Sequence, residues 1–245
     1  KEKIALLILV GFVHAIAWAQ LPNFSIRTPE LAGTLRLGLV QGETSVWLSD
    51  CKTVRIQTEQ HETVYTIEHS LLDKGTLEIR TRSLLDSPGM ILKITATNTP
   101  ETVRLIWAYG GSLGEEIQPK NSENLLIPEY CTDNVFSVEG NAFTVYYGNS
   151  RRLRIYEALV PPASEIRLSD AHKQNTPLEF FNSGKKTDAP ALAAISPIKP
   201  DEPLYFCFFK QNPKADYNYF MLPILYEKGS YEFHKETNWM QSTPD

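Results

Sequence analysis

Cysteine is scarce in this chain: Cys51, Cys131 and Cys207 lie far apart among 245 residues. An odd count leaves at least one thiol without an internal partner, which excludes a disulfide framework as the basis of the fold. Cys207 lies in an apolar run and is predicted to be a small buried side chain. Cys51 and Cys131 follow loop-like residues, and a bridge between them stays open because sequence does not give the distance between their α-carbons.

An excess of positive charge is lacking as well. Lysine and arginine number 24 against 29 for aspartate and glutamate, and the sequence pI is ≈ 5.6. This balance does not suit a phosphate backbone, so no nucleic-acid partner is predicted. One short basic cluster, Arg151, Arg152 and Arg154, is interpreted as a solvated strand end, because isolated charge runs usually face water.

Motifs for metals and cofactors are missing. His61, His69 and His172 are scattered, and the histidine and cysteine spacings match no zinc site. Glu62 follows His61, but the second histidine of a zincin helix does not follow. No glycine-rich phosphate loop is present. The sequence therefore predicts neither a metal nor a cofactor.

Long helical patterns are the last absence, and many short strands take their place. Runs rich in valine, isoleucine, threonine and aromatics end at glycine, proline, asparagine or aspartate, which is typical of strands joined by turns. Asp86-Ser87-Pro88-Gly89 and Gly140-Asn141 predict the turns of two β-hairpins. The predicted strands cover residues 34–40, 53–58, 64–68, 76–84, 90–97, 103–109, 135–139, 142–147, 153–158, 191–195 and 204–210.

These patterns predict an all-β fold, a two-sheet antiparallel β-sandwich of the supersandwich type with few or no long helices in the mature chain. Residues 217–225 are the exception, since their apolar side chains recur at helical spacing. Pro223 within this segment opposes a helix interior at a cost of about 3 kcal/mol. A helix and an edge strand are both open for it.

The N-terminus has the layout of an export signal. Lys1 and Lys3 precede an apolar run over residues 4–19 that ends in the small-x-small triplet Ala17-Trp18-Ala19. The run is shorter than the roughly 20 residues of a spanning helix, and Gln20 instead of cysteine follows the predicted cleavage site. We therefore expect residues 1–19 to be a signal peptide and residues 20–245 a single β-sandwich domain. Its predicted location is periplasmic or extracellular, without a lipid or membrane anchor.

Two patterns are candidates for catalysis. Gly110-Gly111-Ser112-Leu113-Gly114 matches the G-x-S-x-G nucleophile elbow, with Ser112 as the nucleophile. Pro119 arrives too soon for the helix that this elbow requires, so a glycine-rich turn is the favoured interpretation. Glu115 and Glu116 form an acidic pair of the kind that glycosidases use, although adjacent surface carboxylates are more often only solvated.

Aromatic side chains are the candidates for ligand binding, because the apolar faces of sugar rings pack on flat side chains. Trp107 and Tyr109 share one face of a predicted strand that runs into the glycine turn. Trp47 and Tyr147 lie in similar settings. Packing in the core is the competing interpretation for all four, since each alternates with apolar neighbours.

Several segments together resemble a family of exported Bacteroidetes proteins in which a β-sandwich domain commonly precedes an (α/α)-barrel domain of glycosidase type. The resemblance rests on Gly33-Thr34-Leu35-Arg36-Leu37-Gly38-Leu39, Trp47-Leu48, Trp107-Ala108-Tyr109-Gly110-Gly111, Pro128-Glu129-Tyr130-Cys131 with Asn134, and the hairpin from Val138 to Gly148. In such glycosidases the acid and base come largely from the barrel. The closing Thr243-Pro244-Asp245 is similar to a segment that opens the link into that barrel.

The function predicted from the sequence is an exported, non-catalytic β-sandwich for carbohydrate binding or for support of a glycoside hydrolase. Its partner is then a carbohydrate or a glycosidase catalytic domain. One alternative is a hydrolase, a glycosidase or an esterase, with Ser112 or Glu115 in an active site of its own. The other is a structural assembly module, which would expose an apolar patch in place of a polar groove.

Overall fold

The computed structural model describes residues 26–51, 53–59, 61–114, 126–149, 152–184, 186–212 and 217–229. The predicted signal peptide, Glu115, Glu116 and the closing Thr243-Pro244-Asp245 lie outside these residues. The described helices are α1 (Pro128–Cys131), α2 (Pro177–Phe181) and α3 over residues 222–229. The described strands are β1 (Ile26–Arg27), β2 (Thr34–Gln41), β3 (Thr44–Trp47), β4 (Thr53–Glu59), β5 (Glu62–Glu68), β6 (Thr76–Ser83), β7 (Gly89–Thr97), β8 (Arg104–Gly110), β9 (Val135–Glu139), β10 (Ala142–Asn149), β11 (Arg152–Leu159), β12 (Glu165–Asp170), β13 (Pro190–Pro197) and β14 (Leu204–Lys210).

The strands form two antiparallel sheets, and the predicted all-β sandwich is confirmed. Sheet A has six strands in the order β1-β2-β8-β13-β12, with β3 also beside β2. Sheet B has eight strands in the order β4-β5-β6-β7-β14-β11-β10-β9. Strands distant in sequence, such as β7 and β14, are neighbours in sheet B, so its pairing joins the two halves of the chain.

Both predicted hairpins are confirmed. Strands β6 and β7 pair from Thr76 opposite Thr97 to Ser83 opposite Met90. Strands β9 and β10 join through Gly140-Asn141, where Gly140 has a φ of 61° that glycine adopts without strain. The sequence patterns do not predict β1, β3 and β12, which lie at the edge of sheet A and are short or largely exposed.

The main core lies between the two sheets, and the outer faces carry apolar clusters of their own. On sheet A, Trp47 and Ala193 lie in a cluster with Phe180 and Phe181 of α2. On sheet B, strand β14 is covered by α3. Strands β8, β13 and β14 are therefore buried on both faces, which explains why their sequences are almost continuously apolar. The largest side chains of the main core are Trp107, Tyr109, Phe143, Tyr147, Tyr156, Phe206 and Phe208.

The segment that was open between helix and edge strand is helical. A 3₁₀ turn over Tyr219–Met221 leads into α3, and Pro223 occupies its first turn, where proline removes no intrahelical bond. Leu222 and Tyr226 face sheet B. Within the described ranges, no helix is long and apolar enough to cross a membrane.

A partly buried ionic cluster attaches α3 to sheet B. The Glu62 carboxylate accepts hydrogen bonds from Arg80, from Arg82 and from the Tyr226 hydroxyl, the last at 2.7 Å. Arg82 also donates to the Tyr226 carbonyl at 2.9 Å, and its guanidinium lies 4.0 Å from the centre of the tyrosine ring. The helix is therefore held by directional contacts as well as by apolar packing.

The three cysteines are free and buried. Cys51 lies in the main core, whereas Cys131 lies in the cluster outside sheet A. The Cys51 thiol donates to the Trp47 carbonyl at 3.7 Å, and the Cys131 sulfur accepts from the Gly111 amide at 3.2 Å. The bridge that the sequence left open between them does not form, and Cys207 is the small buried side chain that was predicted.

Candidate functional site

The two aromatic candidates on β8 lie in the main core. Trp107 and Tyr109 are each 0% exposed. The Trp107 indole donates to the Ser196 hydroxyl at 3.1 Å, and the Tyr109 hydroxyl donates to the Ala32 carbonyl at 2.6 Å. Both rings contact Phe143. Neither ring offers a face on which a sugar could stack, so their assignment as ligand platforms gives way to the competing core interpretation.

The other two aromatic candidates are also buried. Trp47 packs under α2, donates to the Gln174 carbonyl at 2.9 Å and carries the Arg36 guanidinium 4.1 Å from its ring centre. The Tyr147 ring belongs to the main core, but its hydroxyl donates to the Glu30 carbonyl at 3.2 Å at the end of the sandwich. Burial raises the pKa of Tyr147, and nearby Arg154 partly opposes this shift. Tyr147 is therefore a buried residue whose hydroxyl lies in the wall of the cleft described below.

Ser112, the candidate nucleophile, is buried in the glycine turn. Its hydroxyl donates to the Ala32 carbonyl and contacts the Tyr109 hydroxyl. Its proton is thus held by a backbone acceptor and not by a general base. Strand β8 is followed here by an irregular turn, so the strand–helix geometry of a nucleophile elbow is absent from residues 111–114. The geometry supports the glycine-rich turn that the sequence favoured.

Three of the segments that carry the family resemblance meet at this turn. The Asn134 side chain accepts from the Ser112 amide at 3.0 Å and donates to the Ser112 carbonyl at 2.7 Å. Gly33 lies so close that an added Cβ would stand 2.6 Å from the Ser112 hydroxyl, and its φ of 133° also requires glycine. The turn is therefore fixed from both sides by side chains and backbone distant in sequence.

A cleft opens at this end of the sandwich, with a volume of ≈ 470 Å³. We call it the basic cleft. Gly114 packs against Arg154, which lines the cleft. A Cβ added at Gly114 would lie 3.2 Å from the Arg154 guanidinium. The lining residues are Glu30, Tyr147, Arg152, Leu153, Arg154, Ile155, Tyr156, Lys210 and Gln211.

Strand register places the cations of the cleft together. Tyr147 of β10 lies opposite Arg154 of β11, and Tyr156 of β11 lies opposite Lys210 of β14. Alternation puts Arg152 and Arg154 on the same side of β11 as the core residue Tyr156. The core-facing side of sheet B thus changes from aromatic to basic where the sandwich ends.

The segment around Glu30 forms the opposite wall. Glu30 and Leu31 have φ values of 62° and 53°, and such left-handed conformations cost non-glycine residues about 1–2 kcal/mol each. Three successive carbonyls hold the segment in place. That of Glu30 accepts from Tyr147 and Arg154, that of Leu31 from the Gly114 amide at 3.2 Å, and that of Ala32 from Tyr109.

The cleft has the opposite charge from the chain as a whole. Among the described residues, the cleft is lined by the cations Arg152, Arg154 and Lys210 and by the carboxylate of Glu30, which lies 3.6 Å from the Lys210 ammonium. The whole chain has a formal net charge of −5. Arg152 and Arg154 lie at the exposed start of β11, as predicted for a strand end. The sequence did not predict the cleft that they line, because Glu30 and Lys210 come from distant segments. The signal present in the sequence was Arg152 and Arg154 in register with Tyr156.

The described residues contain no group of three or more histidine, cysteine, aspartate or glutamate side chains that could hold a metal. His172 contacts Asp188 at 3.2 Å on the surface, away from the basic cleft.

Comparisons with known proteins give one family and a structural likeness. The family described as "Domain of unknown function (DUF4450)" matches residues 28–230. No curated protein matches the chain. Among 35 matching chains of solved structures is one titled "Polysaccharide Lyase", with 13% identity and a TM-score of 0.24. That match covers 74% of this chain and 26% of the solved one, so the chain spans about a quarter of its length.

Proposed function

This chain belongs to the DUF4450 family, and from that premise we propose that it is an exported, non-catalytic β-sandwich module that binds carbohydrate in the basic cleft. The class of ligand comes from the resemblance of the sequence to exported proteins whose β-sandwich precedes a glycosidase-type barrel. Two observations support the proposed place: the aromatic candidates are buried, and the cleft is a concave polar site. The single observation that carries the proposal is the composition of that cleft.

The basic cleft has the size and the groups that a sugar requires. Its volume of ≈ 470 Å³ falls in the range of about 300–1,000 Å³ that is typical of small-molecule sites. The Arg154 guanidinium and the Lys210 ammonium provide hydrogen-bond donors for sugar hydroxyls. Fixed backbone on both walls means that little ordering is needed on binding.

A glycan array probed with the full chain tests the proposal. Arg154→Ala should weaken binding to any glycan that the wild type retains by about ten- to a hundredfold, the effect of losing one charged hydrogen bond. Arg167→Ala is the matched control, because Arg167 is a partly exposed arginine paired with Glu165 on sheet A. An array without a positive glycan, or equal losses in the two variants, contradicts the proposal.

Support of a glycoside hydrolase is the second candidate function, and the outer side of the C-terminal segment favours it. Phe220 is 84% exposed, Ile224 59% and Met221 41%. Leu222 and Tyr226 hold the opposite side of the same segment against sheet B. The result is a firmly attached element whose outward side is apolar, which suits docking against the apolar surface of a catalytic domain.

The test of this second function is complex formation with a glycosidase-type catalytic domain, if one is encoded beside this chain, measured by size-exclusion chromatography. Phe220→Ser should abolish the complex and leave the melting temperature of the chain unchanged. Leu168→Ser serves as the control, because Leu168 is 45% exposed on β12 of the other sheet. No complex, or a complex that survives Phe220→Ser, contradicts a docking role for this segment.

A further inference from the structure

The charges of the basic cleft indicate which class of sugar it binds, and its shape alone does not. A site for neutral sugar hydroxyls needs donors and acceptors in comparable numbers, whereas ammonium and guanidinium groups only donate. Here three such groups converge from β11 and β14 in a chain that is acidic overall. Glu30 pairs with Lys210, whereas Arg154 donates to a backbone carbonyl, so an anion bound in the cleft gives the Arg154 guanidinium an opposite charge nearby.

We propose that the basic cleft selects an acidic sugar, one whose ring carries a carboxylate or a sulfate. This inference rests on the proposed function and adds the class of ligand to it. Guanidinium groups match the paired oxygens of both anions through two parallel hydrogen bonds. Arg154 is the central group, because the Glu30 carbonyl and the glycine turn fix its position from both sides.

Glu30 is the residue that makes the proposal specific. Its carboxylate lies 3.6 Å from the Lys210 ammonium and so acts as an internal counter-ion of the cleft. A bound acidic sugar shares these cations with Glu30, and the two negative charges repel each other. Glu30 therefore weakens the binding of anions and leaves the binding of neutral sugars unaffected.

Removing that charge gives a result that damage to the fold cannot imitate. Glu30→Gln keeps the size of the side chain and the carbonyl that Tyr147 and Arg154 bind. Binding of an acidic glycan should become about three- to fivefold tighter, as expected for two like charges a few ångströms apart near water. Lys210→Ala should weaken the same binding, whereas Lys199→Ala, at an ion pair with Glu202 elsewhere, should not.

The experiment is calorimetric titration of the full chain with matched polymers. Polygalacturonate and dextran sulfate supply the carboxylate and the sulfate, and neutral galactan and dextran supply the uncharged counterparts. We expect at least one acidic polymer to bind, Glu30→Gln to tighten it and Arg154→Ala to weaken it. Affinity should fall by about tenfold between roughly 0.05 M and 0.5 M salt, because the groups are partly exposed.

The outcomes separate the two proposals. Binding of only the neutral polymers, unchanged by Glu30→Gln, overturns the acidic-sugar inference and leaves carbohydrate binding in place. Binding of acidic polymers that Lys199→Ala weakens as much as Lys210→Ala shows general attraction to charge and also overturns it. No binding of any polymer overturns both.

Discussion

At the residue scale, the Ala32 carbonyl is the point where the core meets the candidate site. It accepts from the Tyr109 hydroxyl at 2.6 Å and also from Ser112. Both donors are buried, and a buried hydroxyl without a partner is costly. This shared acceptor therefore couples the core of the sandwich to the position of the Glu30 segment.

Tyr109→Phe tests that coupling. We expect it to lower the free energy of unfolding by about 1–2 kcal/mol, because one buried hydrogen bond is lost without creating a cavity. Urea denaturation followed by fluorescence measures the change. Tyr146→Phe is the control, since Tyr146 is half-buried on the outer face of sheet B, and it should change stability by less than about 0.5 kcal/mol. Equal losses in both variants would show that the bond to Ala32 adds nothing.

Glu62 gives a prediction about pH. Burial alone would raise the pKa of Glu62, but hydrogen bonds from Tyr226, Arg82 and Arg80 outweigh it and hold the pKa below its usual value. A carboxyl with a lowered pKa in the folded state adds stability that is complete above its unfolded pKa. That stability is lost as pH falls through the folded pKa.

Glu62→Gln should therefore lower the free energy of unfolding at pH 7 by about 1–3 kcal/mol. On acidification below about pH 4, the variant should lose less of its remaining stability than the wild type loses. Melting temperatures across the acid range show both effects. If the curves of wild type and Glu62→Gln stay parallel down to low pH, the carboxylate is not the group that stabilises the fold there.

The aromatic residues show the limit of sequence reasoning at this scale. An alternating pattern predicts that Trp107 and Tyr109 share a face, and they do. It does not predict what covers that face. Sheet B covers it here, through Phe143, Phe206 and Phe208, which come from strands far away in sequence.

At the scale of elements, the backbone at Gly148, near the end of β10, shapes the basic cleft. Gly148 near the end of β10 has a φ of 97°, and a Cβ added there would collide with the Arg152 carbonyl oxygen. The close approach brings β11 back beside β10 in register and so aims Arg152 and Arg154 at the cleft. Only glycine combines this conformation with this contact.

Gly148→Ala should therefore destabilise the fold by more than its left-handed conformation alone would. Gly42→Ala is the matched control, since Gly42 has a φ of 60° and open space around it. We expect about 1 kcal/mol of destabilisation for Gly42→Ala and about 2–4 kcal/mol for Gly148→Ala, from chemical denaturation. Similar destabilisation by the two substitutions would mean that the backbone at Gly148 relaxes without moving the cleft.

Elements are what the sequence predicts well. All eleven predicted strands and both hairpins are present, because each depends on alternation and turn residues within a few positions. Strands β3 and β12 were missed because their pairing at a sheet edge requires little apolar surface. The helical nature of α3 depends on Pro223 lying in its first turn, and the sequence alone does not say where that turn begins.

At the scale of the whole molecule, the three thiols report on the integrity of the sandwich. Each lies in a different packed layer: Cys51 between the sheets, Cys131 outside sheet A and Cys207 outside sheet B. Burial, with a smaller contribution from Asp50, raises the pKa of Cys51 to about 11, and burial raises that of Cys131 to about 12. Thiols in this state are poor nucleophiles near neutral pH.

We expect no thiol of the native protein to react with an aromatic disulfide reagent at pH 8 on the timescale of minutes. All three should react after unfolding in guanidinium chloride, and reductant should not change the melting temperature. If only one thiol reacted after unfolding, the other two would be joined in a disulfide. That result would contradict the free state of the three cysteines.

The candidate site belongs to this largest scale, and that is why the sequence did not predict it. Glu30, Arg154 and Lys210 are separated by more than fifty residues at each step, and only the pairing of β11 with β14 brings the two cations together. Local patterns record the charge of each segment but not their convergence. The sequence shows the arginines, but it does not show the site that they share with Glu30 and Lys210.

The position of α3 on sheet B has a consequence for how the module can work. The helix covers the outer face, whereas the cations of the basic cleft point to the opposite face of the same sheet. A polymer in the cleft and a protein against α3 therefore do not compete for surface. Two simultaneous attachments turn the second encounter into an intramolecular one, with effective concentrations of about millimolar for short tethers. Sheet B would then hold a long glycan close to the protein that docks on α3.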